Sequence, residues 1–197
     1  MGRPREFDID KAIDTATALF WRKGYEGTSL NDLTGAIRIT APSFYFAFGS
    51  KENLFRKVIE RYYARCGDLL KSAFDQPTAQ AVAEQFLYKT ADLLTDPVHA
   101  PGCLAMNSSL PCAGDDGIRG WLAEAREEVR IKFRDRFSKA RDSGDLVPDA
   151  DPEALARFVV TIAWGIAIEA QSGASRDALR QTIDVALFAF KEKSSRS

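Results

Sequence analysis

The chain has 197 residues, 45% hydrophobic and 28% charged, with a formal net charge of −1, an ordinary globular balance that can bury one large or two modest cores. No apolar run approaches the roughly 18 residues of a membrane span, and the polar N-terminus has no signal-peptide core, so membrane insertion and export are excluded and a soluble, cytoplasmic protein is expected. Three cysteines, Cys66, Cys103 and Cys112, are an odd number without metal-ligand spacing, so no structural disulfide, metal or cofactor is called for.

The net charge hides an asymmetry. Residues 1–65 carry eleven Lys/Arg against eight Asp/Glu, and the remainder carries sixteen against twenty. The basic excess therefore lies at the N-terminal end, where nucleic acid would be met. It is mild, so a monomer would bind DNA weakly and a dimer would sum two electrostatic footprints.

Gly2-Arg3-Pro4-Arg5 opens the chain as a short cationic arm. Arg3 and Arg5 can lie along a minor groove, or the arm can remain a solvated terminus. Ile9, Ala12, Ile13, Ala16, Leu19 and Phe20 follow at helical spacing, and Gly24 ends that helix. Next comes a stretch with the spacing of a helix-turn-helix, from Thr28 to Lys51. Thr28 or Ser29 can cap its first helix, and Ser29 with Asp32 fits a capping box. Leu30, Leu33 and Ile37 give that helix one apolar face. Arg38 and Ile39 make the turn; Thr40 caps the second helix and Pro42 falls in its first turn, where a missing N–H costs nothing. Phe44 and Phe48 bury one side, with Phe20, Leu30, Leu33 and Ile37 completing a small core. Thr40, Ala41, Pro42, Ser43, Tyr45 and Phe46 are left on the surface that a recognition helix turns to the major groove.

This segment resembles the DNA-binding domain of the TetR family of bacterial transcriptional regulators. The resemblance rests on Thr28-Ser29, on Phe44-Tyr45-Phe46-Ala47-Phe48 and on Ser50-Lys51-Glu52 at fixed offsets. One residue departs from the pattern: Arg38 stands where the family usually has Gly, a position wanting positive φ, at a cost of roughly 1 kcal/mol that a phosphate contact can offset. By the resemblance, Tyr45 and Lys51 occupy phosphate-binding positions, and Thr28 joins Arg38 and the recognition face among the candidate DNA contacts. That face offers no Arg, Asn or Gln for a bidentate base contact. Specificity should then come from hydroxyls, thymine methyl contacts and DNA shape. A core aromatic with a solvated hydroxyl is the plain alternative for Tyr45.

Ser50 caps a long helix over 51–74, closed by Pro77, that can carry movement between two halves of the molecule. A further helix is expected over 78–94. Between Asp96 and Gly117 the pattern breaks, with a short helix near 104–110; Pro101-Gly102-Cys103-Leu104-Ala105-Met106-Asn107 is similar to a segment of some TetR-like ligand domains. A helix over 118–143 follows, with its charges outward and Gly144 at its end. Asp151-Pro152-Glu153 starts the next helix, and Ser175 the last. Both final helices are apolar over more than one side. They can form a buried pair or, as the resemblance implies, a four-helix dimer interface through Phe158, Ile162, Ile166, Ile183, Leu187 and Phe190.

The expected architecture is all-α with about nine helices: a DNA-binding domain over 1–50 and a ligand-binding and dimerisation domain over 51–197. Phe86, Met106, Trp121, Phe133 and Trp164, with Cys103, can line an apolar effector pocket or be plain core. His99, Cys103 and Cys112 suggest instead a thiol or soft-metal sensor. An enzyme has little support, since no nucleophile elbow, P-loop or dinucleotide fingerprint is present. An architectural DNA-binding protein would lack so large a second domain. The resemblance thus implies a homodimeric repressor, with a small-molecule effector acting between about Thr78 and Phe137 to shift the long helix and release a near-palindromic double-stranded operator.

Overall fold

The computed structural model describes residues 7–108 and 116–194. Among them are nine helices and no strand: α1 (Ile9–Lys23), α2 (Leu30–Ile37), α3 (Ala41–Phe48), α4 (Lys51–Phe74), α5 (Ala79–Leu94), α6 (Leu104–Asn107), α7 (Asp116–Asp142), α8 (Pro152–Gln171) and α9 (Arg176–Ser194). Local chemistry explains most of the boundaries. Asp8 accepts from the N–H groups of Asp10 and Lys11 at the head of α1. Ser29 and Asp32 form the reciprocal capping box of α2. Thr40, Ser50, Thr78 and Asp151 each accept from an N–H in the first turn that they precede, satisfying donors the helix itself cannot pair.

Two apolar cores result. The N-terminal core joins Phe20, Leu33, Phe44 and Phe48, with Leu30 and Ile37 at its margin, to Leu54, Phe55, Val58, Ile59 and Tyr62 of α4. It also takes in Leu104 and Ala105 of α6 and Ile118 and Leu122 of α7. The C-terminal core packs α5, α8 and α9 against the later part of α7 and the end of α4. The first half of α4 thus belongs to one core and its last turn to the other. Core packing does not divide at residue 50, because α2 and α3 are too short to bury their aromatic faces without the first half of α4.

Helix α6 is the smallest element and touches both cores. Leu104 and Ala105 sit in the N-terminal core, while Met106 packs on the C-terminal one and Cys103, just before the helix, touches both. The same segment is fastened to the end of α1. Trp21 Nε1 donates to the Gly102 carbonyl at 3.1 Å, and Asn107 Nδ2 donates to the Trp21 carbonyl at 3.0 Å. At Gly24, where α1 ends with φ of 69°, an added Cβ would lie 3.0 Å from the Asn107 carbonyl oxygen. Only glycine combines that backbone conformation with so close an approach.

Candidate DNA-binding face and adjoining cavity

The turn between α2 and α3 is built on a strained residue. Arg38 has φ 64° and ψ 44°, the left-handed conformation, and is the one non-glycine residue with positive φ among those described. The conformation lets the Ile39 N–H reach the Thr34 carbonyl and turns the chain into α3. The Arg38 side chain is exposed beside it.

Helix α3 presents Thr40, Ala41, Pro42, Ser43, Tyr45 and Phe46 to solvent, while Phe44 and Phe48 face inward. Phe46 is 95% exposed, an unusual position for a large apolar side chain unless something else covers it. The Thr40 and Ser43 hydroxyls lie 3.0 Å apart at the helix start, so each is preorganised by the other. Tyr45 is half-exposed, its ring edge-on to Phe44. Lys51, at the head of α4, lays its ammonium 4.2 Å from the centre of the Tyr25 ring. Burial pulls that ammonium below its ordinary pKa, with Glu26 acting the other way.

Thr28 behaves differently from the other candidate DNA contacts. It is fully buried and its hydroxyl donates to the Gly24 carbonyl at 2.7 Å. It pins the α1–α2 turn and has no free donor for a phosphate. Arg3 and Arg5 lie outside the described residues, as does Cys112.

Behind α4 lies a cavity of about 150 Å³. Of the aromatic, thiol and thioether residues expected there, Phe86, Cys103, Met106 and Trp164 line it. Trp121 and Phe133 do not. Trp121 packs on the N-terminal core beneath the Arg56 guanidinium, and Phe133 is fully buried among Phe74, Phe86 and Phe137. Both lie on α7, and a helix that serves two cores points most of its aromatic residues into packing. Further lining comes from Tyr62, Tyr63 and Cys66 of α4, Thr90 of α5 and Arg126 of α7. Cys66 lies three and four residues after the two adjacent tyrosines, a helical spacing and so a signal available in the sequence. Arg126 gave none, because a charge on α7 was expected to face outward.

The Tyr62 hydroxyl is 3.1 Å from Cys103 Sγ. Burial, and then the neighbouring thiols Cys103 and Cys66, push the Tyr62 phenol well above its ordinary pKa. Burial does the same to Tyr63, with Arg126 opposing it. Both phenols therefore stay protonated near neutral pH and can donate hydrogen bonds. His99 stacks on Trp21 at a 4.1 Å centroid distance and bonds the Ala100 carbonyl through Nδ1. Among the described residues no group of three or more His, Cys, Asp or Glu side chains could hold a metal ion.

Of the expected dimer residues, Ile166, Ile183, Leu187 and Phe190 are buried in the core of the protomer itself, and Phe158 and Ile162 are half-buried. Each α8 and α9 stripe is wide enough to fill the core and still leave apolar side chains outside. Those are Ile168, Val185 and Phe188, exposed by 48%, 72% and 66%.

A short helix with an outward apolar and hydroxylic face, set behind a strained turn and seated on a larger helical body that shares its core, is the geometry of a helix-turn-helix DNA-binding unit. Comparison with known proteins agrees. Residues 12–58 match the family model for bacterial regulatory proteins of the tetR family. The HTH-type transcriptional repressor ComR of Escherichia coli is 32% identical over 183 residues, covering 91% of this chain and 87% of that protein. A regulator from Bacillus subtilis, YezE, is 28% identical over 95% of this chain and 98% of its own length. A solved structure of a cysteine mutant of the regulator CifR, complexed with 26-base-pair operator DNA, superposes with a TM-score of 0.88 at 36% identity, covering 95% of this chain and 99% of that one. The chain belongs to the TetR family of bacterial regulatory proteins.

Proposed function

We propose that this chain is a cytoplasmic, homodimeric repressor that holds a near-palindromic operator through two copies of α3 and releases it when a small molecule occupies the cavity behind α4. No metal or cofactor is required. The repressor ComR and the operator-bound CifR are the relatives that support this reading. The observation that carries it is the position of α6: Cys103 and Met106 line the cavity while Leu104 and Ala105 lie in the core beneath the helix-turn-helix. A ligand that displaces the first pair moves the second, and the Trp21–Gly102 and Asn107–Trp21 bonds pass the movement to α1. A few ångströms of mis-spacing between two recognition helices pulls several cations away from their phosphates.

Within this reading Arg38, Tyr45 and Lys51 hold phosphates, joined by Arg3 and Arg5 of the arm, and Thr40, Ala41, Pro42, Ser43 and Phe46 meet base edges and thymine methyls. The DNA-binding domain over 1–50 leans on α4 of the ligand-binding and dimerisation domain over 51–197. The dimer face is built from Phe158, Ile162, Ile168, Val185 and Phe188. A thiol-responsive variant of the mechanism is favoured by one observation, that Cys66 and Cys103 line the same cavity beside the Tyr62 hydroxyl.

The test is an operator titration on the chain's own upstream DNA at several salt concentrations, with wild type and Lys51→Ala, repeated with a thiol oxidant. Sequence-selective binding, with a salt slope shallower by about 0.9 for each phosphate that the variant leaves unneutralised, supports the regulator. Weak binding without sequence preference on any DNA refutes it. Release by oxidant selects the thiol variant.

A further inference from the structure

The cavity contains an electrostatic imbalance. Its walls are aliphatic and aromatic apart from two phenols, two thiols, one thioether and one hydroxyl, and among the described residues Arg126 is the one charged side chain that lines it. Other arginines of α7 are neutralised or saturated: Arg130 pairs with Glu127 and Glu153, Arg134 pairs with Asp135, and Arg136 donates to the carbonyls of Gln76 and Pro77. Arg126 has no carboxylate partner among the described residues; its guanidinium carbon stands 5.7 Å from the centre of the Trp164 ring. A permanent cation beside an apolar cavity, held by an aromatic face and without a carboxylate partner among the described residues, is a half-built ion pair. Tyr63, also at the wall, stays protonated and can add a neutral donor.

We infer that the cavity takes a small amphipathic carboxylate, its anionic end on Arg126 and an apolar body of about six to eight carbons against Trp164, Phe86 and Met106. The size follows from the volume. About 150 Å³ matches an apolar cavity that admits benzene, so a ring or short chain fits and a long acyl chain does not. The polarity follows from the walls, which reward an apolar body and, among the described residues, offer Arg126 as the charged partner for an anion. A neutral molecule of the same shape leaves that cation unpaired. This inference rests on the effector-cavity reading above and narrows it to a chemical class.

The test uses the intact dimer and two matched pairs of probes, phenylacetate with phenylacetamide and octanoate with octanamide. Calorimetric titration measures binding, and operator displacement measures its consequence. The acids should bind about tenfold to a hundredfold more tightly than the amides, the range expected for one charge-assisted hydrogen-bonded contact, and should release operator. Arg126→Gln should abolish the preference of acids over amides, and Arg126→Lys should restore part of it. Equal binding of acids and amides to wild type, or a preference that survives Arg126→Gln, overturns the anionic class and leaves the effector cavity standing. Binding of neither acids nor amides overturns both.

Discussion

Replacing Arg38 by glycine should stabilise the protein and weaken its hold on DNA at the same time. The backbone at Arg38, φ 64° and ψ 44°, lies close to the centre of the left-handed well, so the residue bears the full steric cost of a Cβ in that conformation, about 1–2 kcal/mol. Glycine removes the cost but gains freedom in the unfolded chain worth roughly 0.5–1 kcal/mol. The net gain is about 0.5–1 kcal/mol, or roughly 1–4 °C in Tm for a chain of this size. Arg38→Ala keeps the Cβ and removes the guanidinium, so it should not show the gain. Both variants lack the same cation, and in a dimer each should flatten the salt dependence of operator binding by about 1.8 in slope, 0.9 per half-site. Scanning calorimetry at fixed protomer concentration and operator titrations across salt provide the two readouts. A glycine variant no more stable than the alanine one would refute the strain argument. Unchanged salt slopes in both would refute the phosphate contact.

Phe133→Ala should cost about 3–5 kcal/mol, because the ring is fully buried against three other phenylalanines; denaturant unfolding measures it, and a loss under 1 kcal/mol would contradict the packing. Val185→Asp with Phe188→Asp should yield a helical monomer by sedimentation and circular dichroism, since both side chains point out of the protomer, whereas Ile183→Asp should unfold it; a dimer that survives the double substitution would place the interface elsewhere. Asp32 is held well below the usual carboxylate range, first by its hydrogen bond from Lys23 and then by those from Ser29. A depressed carboxylate contributes stability above its unfolded pKa and loses it as pH falls through the folded one. The Tm gap between wild type and Asp32→Asn should therefore be full at pH 7 and shrink below about pH 4.

The helices were legible because their signals are local. A capping hydroxyl or carboxylate sits within three residues of the N–H it serves, so Ser29 with Asp32, Thr40, Ser50 and Asp151 could be recognised from spacing alone. The positive φ at Arg38 was implied by the family resemblance, which has Gly at that position, and the outward face of α3 by the inward spacing of Phe44 and Phe48. Period and capping thus determined the all-helical fold and the helix-turn-helix. What a residue does once its helix is packed depends on neighbours distant in sequence. Thr28 has a hydroxyl suited to a phosphate, but the fold buries it on the Gly24 carbonyl. Ile183 and Phe190 share a helix with Val185 and Phe188, and only the docking of α9 on α5 and α8 decided which pair lies inside. Arg126 carries the same sequence signal as any helix-surface arginine; the approach of α4, α5 and α8 set it, alone among the described charged residues, at an apolar cavity. Periodicity names the faces of a helix, while the free energy of burying them is settled by the partners they meet across the fold.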